Sequence, residues 1–144
     1  MPRTTFTGLA GPSFIAQQGL EDRDNGHQID WANVTAGTGD PVPALNAQGK
    51  KVLLAGTRVG TLLGSGKVSP RAANTNPAVG LLATNAVEGE THAASSGYGL
   101  IVGGVIYENF IPGATAGVLD QDIKDELAAA GTGFTWRTYA DDRA

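Results

Sequence analysis

The chain has 144 residues, enough for one domain, and a domain of that size buries about 70% of the surface its unfolded chain exposes. It holds no cysteine, which excludes disulfides and thiolate metal sites together. The 14 acidic and 10 basic residues give a formal charge of -4 and are scattered, with Lys50-Lys51 the only adjacent basic pair, so no electrostatic footprint for nucleic acid is present.

Glycine, at 21 residues, is about twice its usual share of roughly 7% and predicts many tight turns between short strands. Charged residues make up 17%, below the usual share of about 25%, which leaves more neutral surface than a solitary monomer keeps and suggests association. The start, Met1-Pro2-Arg3-Thr4-Thr5-Phe6, lacks a charged head followed by an apolar stretch. No later run approaches the roughly 18 apolar residues of a membrane span, so a soluble protein with no membrane partner is expected.

Residues 1–45 carry little periodic signal. Turn clusters at Gly11-Pro12-Ser13, Asp24-Asn25-Gly26 and Gly37-Thr38-Gly39-Asp40-Pro41 interrupt short apolar pieces, and only Gln28 to Val34 reads as a strand. This stretch is expected to be an extended arm that packs on the body of the chain or on a partner, with a loosely ordered terminus as the alternative. Phe6, Leu9, Phe14 and Ile15 follow neither helical nor strand spacing. Such a segment gains by ordering only where it meets a surface, so deleting residues 2–15 is expected to leave the thermal transition nearly unchanged.

Residues 46–144 read as a β-rich body. Lys51 to Ala55 and Arg58 to Leu63 are short apolar runs, and Gly64-Ser65-Gly66 suits a hairpin into Lys67-Val68-Ser69. Ala78 to Val87 and Leu100 to Tyr107 are the expected central strands, the second apolar enough to be covered on both faces. Gly103-Gly104 within it predicts a bulge or sharp bend. Between Asp120 and Gly131, Ile123, Leu127 and Ala130 recur at helical spacing, with Asp120 as N-cap and Gly131 as the stop. Asp122, Lys124, Asp125 and Glu126 then fall on the solvated side. Phe134 to Tyr139 is the last strand, and the order gives no βαβ alternation. The fold class is therefore mainly β, a β-rich α+β chain with a small barrel-like or sandwich body, one packed helix and the extended N-terminal arm.

Several motifs fail on inspection. Gly60 to Lys67 superficially resembles a phosphate loop but lacks glycine at Thr61 and a hydroxyl residue at Val68. Asp22 to Gly26 hints at a calcium loop, yet with Gly26 as its glycine Ala32 stands where a bidentate glutamate belongs. His27 and His92 are far apart without ligand spacing, no serine sits in a Gly-x-Ser-x-Gly elbow, and no metal or cofactor is expected. The acids Asp120, Asp122, Asp125 and Glu126 suit a helix N-terminus better than a glycosidase pair. Trp31, Trp136 and the tyrosines suit either a sugar-stacking platform or core packing.

Four stretches, taken in order, resemble the small head-decoration proteins of tailed bacteriophages, the family of the lambda-type capsid-stabilising protein. They are Leu54 to Leu62 leading to Gly66-Lys67, Asn76 to Ala83, Leu100 to Pro112, and the helix Asp120 to Ala130 with Gly131 and its closing aromatic strand. The first 45 residues and the segment 88–98 have no counterpart in that pattern. The resemblance implies a non-catalytic virion protein on the outer surface of the head. It further implies homotrimers at three-fold positions, the major capsid protein as partner, and an N-terminal arm that orders against the shell. The candidate capsid-binding residues are then Thr4, Thr5, Phe6, Leu9, Phe14 and Ile15. A tail or spike module and a carbohydrate-binding β domain are the alternatives.

Overall fold

The structure is a computed structural model and describes residues 14–17, 19–37, 43–61, 66–73, 75–90, 97–114 and 117–139. Nine strands and one α-helix are assigned among them. They are β1 (Asp22–His27), β2 (Ala44–Leu45), β3 (Lys51–Leu53), β4 (Arg58–Thr61), β5 (Val68–Pro70), β6 (Gly80–Leu82), β7 (Ala86–Val87), β8 (Tyr98–Tyr107), α1 (Gln121–Ala129) and β9 (Gly133–Arg137). Trp31–Asn33 and Glu108–Phe110 form single 3-10 turns. The chain is mainly β, and neither of its two sheets closes into a barrel.

The larger sheet runs β1-β8-β6-β4-β5, with β9 also on β8, and the smaller runs β2-β3-β7. β8 organises the molecule. Gly103 pairs with Asp22 of β1 and with Gly133 of β9, so those two strands lie on opposite edges of β8. Ile106 likewise pairs with Ile15 and with Trp136. One edge of β8 is thus covered by Ile15 and β1, and the other by β6 and then β9.

Adjacent residues of the central strands enter different cores, which is why Leu100 to Tyr107 reads as a nearly continuous apolar run. Leu81 and Ile101 join Phe14, Ile15, Ile106, Ile111, Leu119, Ile123 and Leu127 in a core that includes the helix. Leu82 and Leu100 join Val59, Val68, Ile29, Val34 and Tyr98, together with Leu53 and Ala86 of the smaller sheet, in a second. Ile101 and Ile106 belong to one core although an odd interval puts them on opposite faces of a regular strand. The phase changes at the expected glycine pair: Gly104 has φ +121, open to glycine, and the β1–β8 register shifts between Asp22 and Arg23.

Four expectations are corrected. Gln28 to Val34 is not a strand. The ladder partner of β8 is instead the polar Asp22–His27, while Ile29 makes one parallel bridge to Val68 and Trp31–Asn33 turn. Hydrogen-bonding groups along β8 have to be met, and tertiary pairing overrides the weak β-propensity of Asp, Asn and Gly. Ala78 to Val87 divides into β6 and β7, which belong to different sheets, with Asn85 Oδ1 in the break accepting the Ala55 N–H at 2.8 Å.

The third correction concerns topology. β8, α1 and β9 form a parallel β-α-β crossover, with Gly103 to Tyr107 paired in register to Gly133 to Arg137. The fourth concerns the arm. Phe14 and Ile15, 5% and 7% exposed, are core residues, and the Tyr107 N–H donates to the Phe14 carbonyl at 2.7 Å while the Ala16 N–H donates to Val105 at 2.8 Å. The two apolar side chains find a surface on their own chain, beside Ile106. Thr4, Thr5, Phe6 and Leu9 lie outside the described residues.

Candidate functional site

Most of the residues with chemical potential are engaged in holding the fold. In α1, Ile123 and Leu127 are buried as their spacing predicts, and the helix ends as expected. Gly131, at φ +88, donates to Ala128 and Thr132 donates to Leu127, the paired bonds of a Schellman stop. Asp120 occupies the N-cap position without a side-chain cap bond.

The polar side of α1 is less solvated than its sequence predicts. Asp122 and Asp125 are exposed, but Glu126 takes both Arg71 Nε at 3.0 Å and the Ala78 N–H at 2.8 Å on its Oε1. The Arg71 hydrogen bonds hold the Glu126 carboxyl below its ordinary pKa, against an opposing push from desolvation. Lys124 is only 16% exposed, lies 2.6 Å from Glu108 Oε1 and stands 5.7 Å from the centre of the Trp136 ring. Glu108 also accepts the Leu119 N–H at 3.1 Å. These pairs tie the helix to the loop before β6 and to the end of β8. Spacing within the helix gives no hint of them, because every partner is distant in sequence.

The remaining sequence candidates do not converge. Gly60 lies in β4, and a side chain there meets Asn76 Oδ1 and the Pro77 carbonyl, so that stretch packs against its own chain. Asp22 to Gly26 is strand β1, not a loop. His27 Nε2 lies 2.9 Å from Asp24 Oδ2, and His92 lies outside the described residues. Among the described residues no three histidine, aspartate or glutamate side chains gather around a common point, and no helix is long and apolar enough to cross a membrane. Trp31 packs on the second core and Trp136 on the first, so the two tryptophans form no shared platform. Tyr98, 4% exposed, donates its hydroxyl to Glu90 at 3.0 Å, and burial first, then that carboxylate, pushes it up to about 12. An open cleft of about 640 Å³ is lined by Arg23, Asp24 and His27 above Val79, Leu100 and Val102. Its ionisable side chains are already paired: Arg23 binds Glu21 at 3.0 Å, and Asp24 binds His27.

One surface stands apart. At the end of β8 the rings of Tyr107, Phe110 and Tyr139 contact one another, with centroids 5.2–5.7 Å apart. Two hydrogen bonds lock Tyr139 there, since Asn109 Nδ2 donates to its carbonyl at 3.1 Å and its N–H donates to Asn109 Oδ1 at 2.9 Å. Tyr107 and Phe110 are half-buried and Tyr139 is 42% exposed. Gly117 packs on Asn109, and the neighbouring Val118 is 49% exposed. The result is a hydrogen-bonded, partly exposed aromatic cluster, and aromatic residues are enriched at protein interfaces. Only Tyr107 of the three lies in a strand, so no strand alternation marks the cluster, and Asn109 as the clasp that gathers it is a tertiary fact.

No family model, no curated protein and no solved structure matches the chain.

Proposed function

We propose that the protein acts by docking rather than by chemistry, as a capsid-stabilising decoration protein on the outer surface of a phage head, assembling there as a homotrimer with the major capsid protein as its partner. The supporting observation is the Tyr107–Phe110–Tyr139 surface, pre-organised by Asn109. Rigid aromatic groups lose little entropy when they bind and dominate interface energetics. Tyr107 and Phe110 lie in Leu100–Pro112 and Tyr139 just after the closing strand β9, in two of the stretches that carry the resemblance to head-decoration proteins. The other two stretches supply β4 and β6, adjacent strands of the same sheet. Copies repeated over a lattice multiply modest contacts by avidity, so that shell rupture must break many of them together.

Electron microscopy of the protein mixed with expanded, undecorated heads is the direct test. Regular density at three-fold positions is expected, and Tyr139→Ala combined with Phe110→Ala should lower occupancy while the free protein keeps its β-rich circular dichroism. Bare heads at saturating protein would refute the reading.

A further inference from the structure

Asn25 is the one asparagine in the chain followed by glycine. It sits with Gly26 in the bulge where the β1–β8 register passes from Asp24↔Leu100 to His27↔Tyr98, so neither residue has a ladder partner. Its side chain is exposed and lies against Gly99, where a Cβ would fall 2.5 Å from Asn25 Oδ1, and no hydrogen bond holds it among the described residues.

The other described asparagines contrast with it. Asn33 donates to Asp30, Asn46 accepts the Gln48 and Lys50 N–H groups, and Asn85 accepts from Ala55. Asn109 is bonded twice to Tyr139, and Asn76 is buried, bonded to Ser69 and followed by proline.

We propose that Asn25-Gly26 is a self-modification site at which the protein ages by deamidation and isomerisation. The Gly26 backbone nitrogen, giving its proton to solvent base, attacks Cγ of Asn25. The new N–Cγ bond closes a five-membered succinimide as the Cγ–Nδ2 bond breaks and ammonia leaves. Water then opens the ring at either carbonyl, leaving aspartate or isoaspartate at position 25. Glycine at 26 removes the side chain that obstructs this attack elsewhere, and the bulge leaves both residues outside the ladder.

The consequence lies in the packing. A side-chain carbon at Gly97 falls 2.7 Å from the Gly26 carbonyl carbon, so the two backbones are in close approach. Isoaspartate lengthens the main chain by one carbon at this crowded point and adds a negative charge beside Asp24. The aged strand should therefore separate from β8 more readily.

The test is prolonged incubation of the whole folded protein at mildly alkaline pH, followed by peptide mapping with fragmentation that distinguishes isoaspartate. Loss of asparagine at position 25 is expected ahead of positions 33, 46, 85 and 109, together with a melting temperature that falls as the aged fraction grows. Asn25→Gln should abolish the time-dependent fall. Conversion at 25 no faster than at the other four, or conversion only after denaturation, would overturn the proposal. A fall in melting temperature that persists unchanged in Asn25→Gln would remove the claimed effect on the strand.

Discussion

Removing residues 2–15 separates an external arm from a built-in edge, because the cut takes Phe14 and Ile15 out of the core shared by Ile106 and α1. Loss of a buried phenylalanine costs about 3–5 kcal/mol and of a buried isoleucine about 2–5. The bond from the Tyr107 N–H to the Phe14 carbonyl adds about 1 kcal/mol. Neighbouring losses are not additive, so a floor of about 4 kcal/mol is the safer expectation. Against a total of about 5–15 kcal/mol for a domain, that is a large share. At roughly 2–4 °C per kcal/mol for a chain near this length, the melting temperature should fall by about 8 °C or more. Thermal and urea unfolding of the full chain, of Phe14→Ala and of the 2–15 deletion provide the measurement, with the point variant falling between the other two. A deletion that melts within about 2 °C of the full chain would refute the placement of these residues in the core. Deleting residues 2–13 alone leaves Phe14 and Ile15 in place, and head binding by that variant tests the remaining arm residues Thr4, Thr5, Phe6 and Leu9.

On the helix, Lys124→Ala should cost about 2 kcal/mol in urea unfolding because it removes the cation paired with the buried Glu108 carboxylate, whereas Asp122→Ala should stay within about 0.5. Equal effects would refute the Lys124–Glu108 clasp. Ile123→Asp or Leu127→Asp should be far worse than either, leaving mainly unfolded protein, since each places an unpaired charge at a fully buried position. For Glu126 the folded pKa is depressed, so its contribution is present above the unfolded value and is lost as pH falls through the lower folded value. Stability of the native chain should therefore fall across the acid carboxylate range more steeply than that of Glu126→Gln; parallel profiles would count against the Arg71 pairing.

What the chain determines locally is what it spells out locally. The helix boundaries follow from Ile123, Leu127 and a glycine able to take φ +88 at position 131. The bend in β8 follows from Gly103-Gly104, and burial of that strand on both faces follows from the nearly continuous apolar run that the pair interrupts. The turn-rich, β-dominated class follows from glycine content and short apolar segments. Each is a matter of backbone conformation or burial within a few residues.

Tertiary structure decided the rest, because partners distant in sequence outweigh weak local preferences. Asp24-Asn25-Gly26, reading as a turn cluster, falls inside the strand Asp22–His27 because an edge of β8 has to be paired. Phe14 and Ile15 carry no periodic signal because each fills a gap beside β8 and neither belongs to an amphipathic repeat. Lys124 and Glu126 stand on the polar side of a helix, but Glu108 and Arg71 arrive from 16 and 55 residues away to pair them. The parallel pairing of β8 with β9 depends on α1 packing between them in sequence and over one core in space, a choice of topology that no single segment encodes.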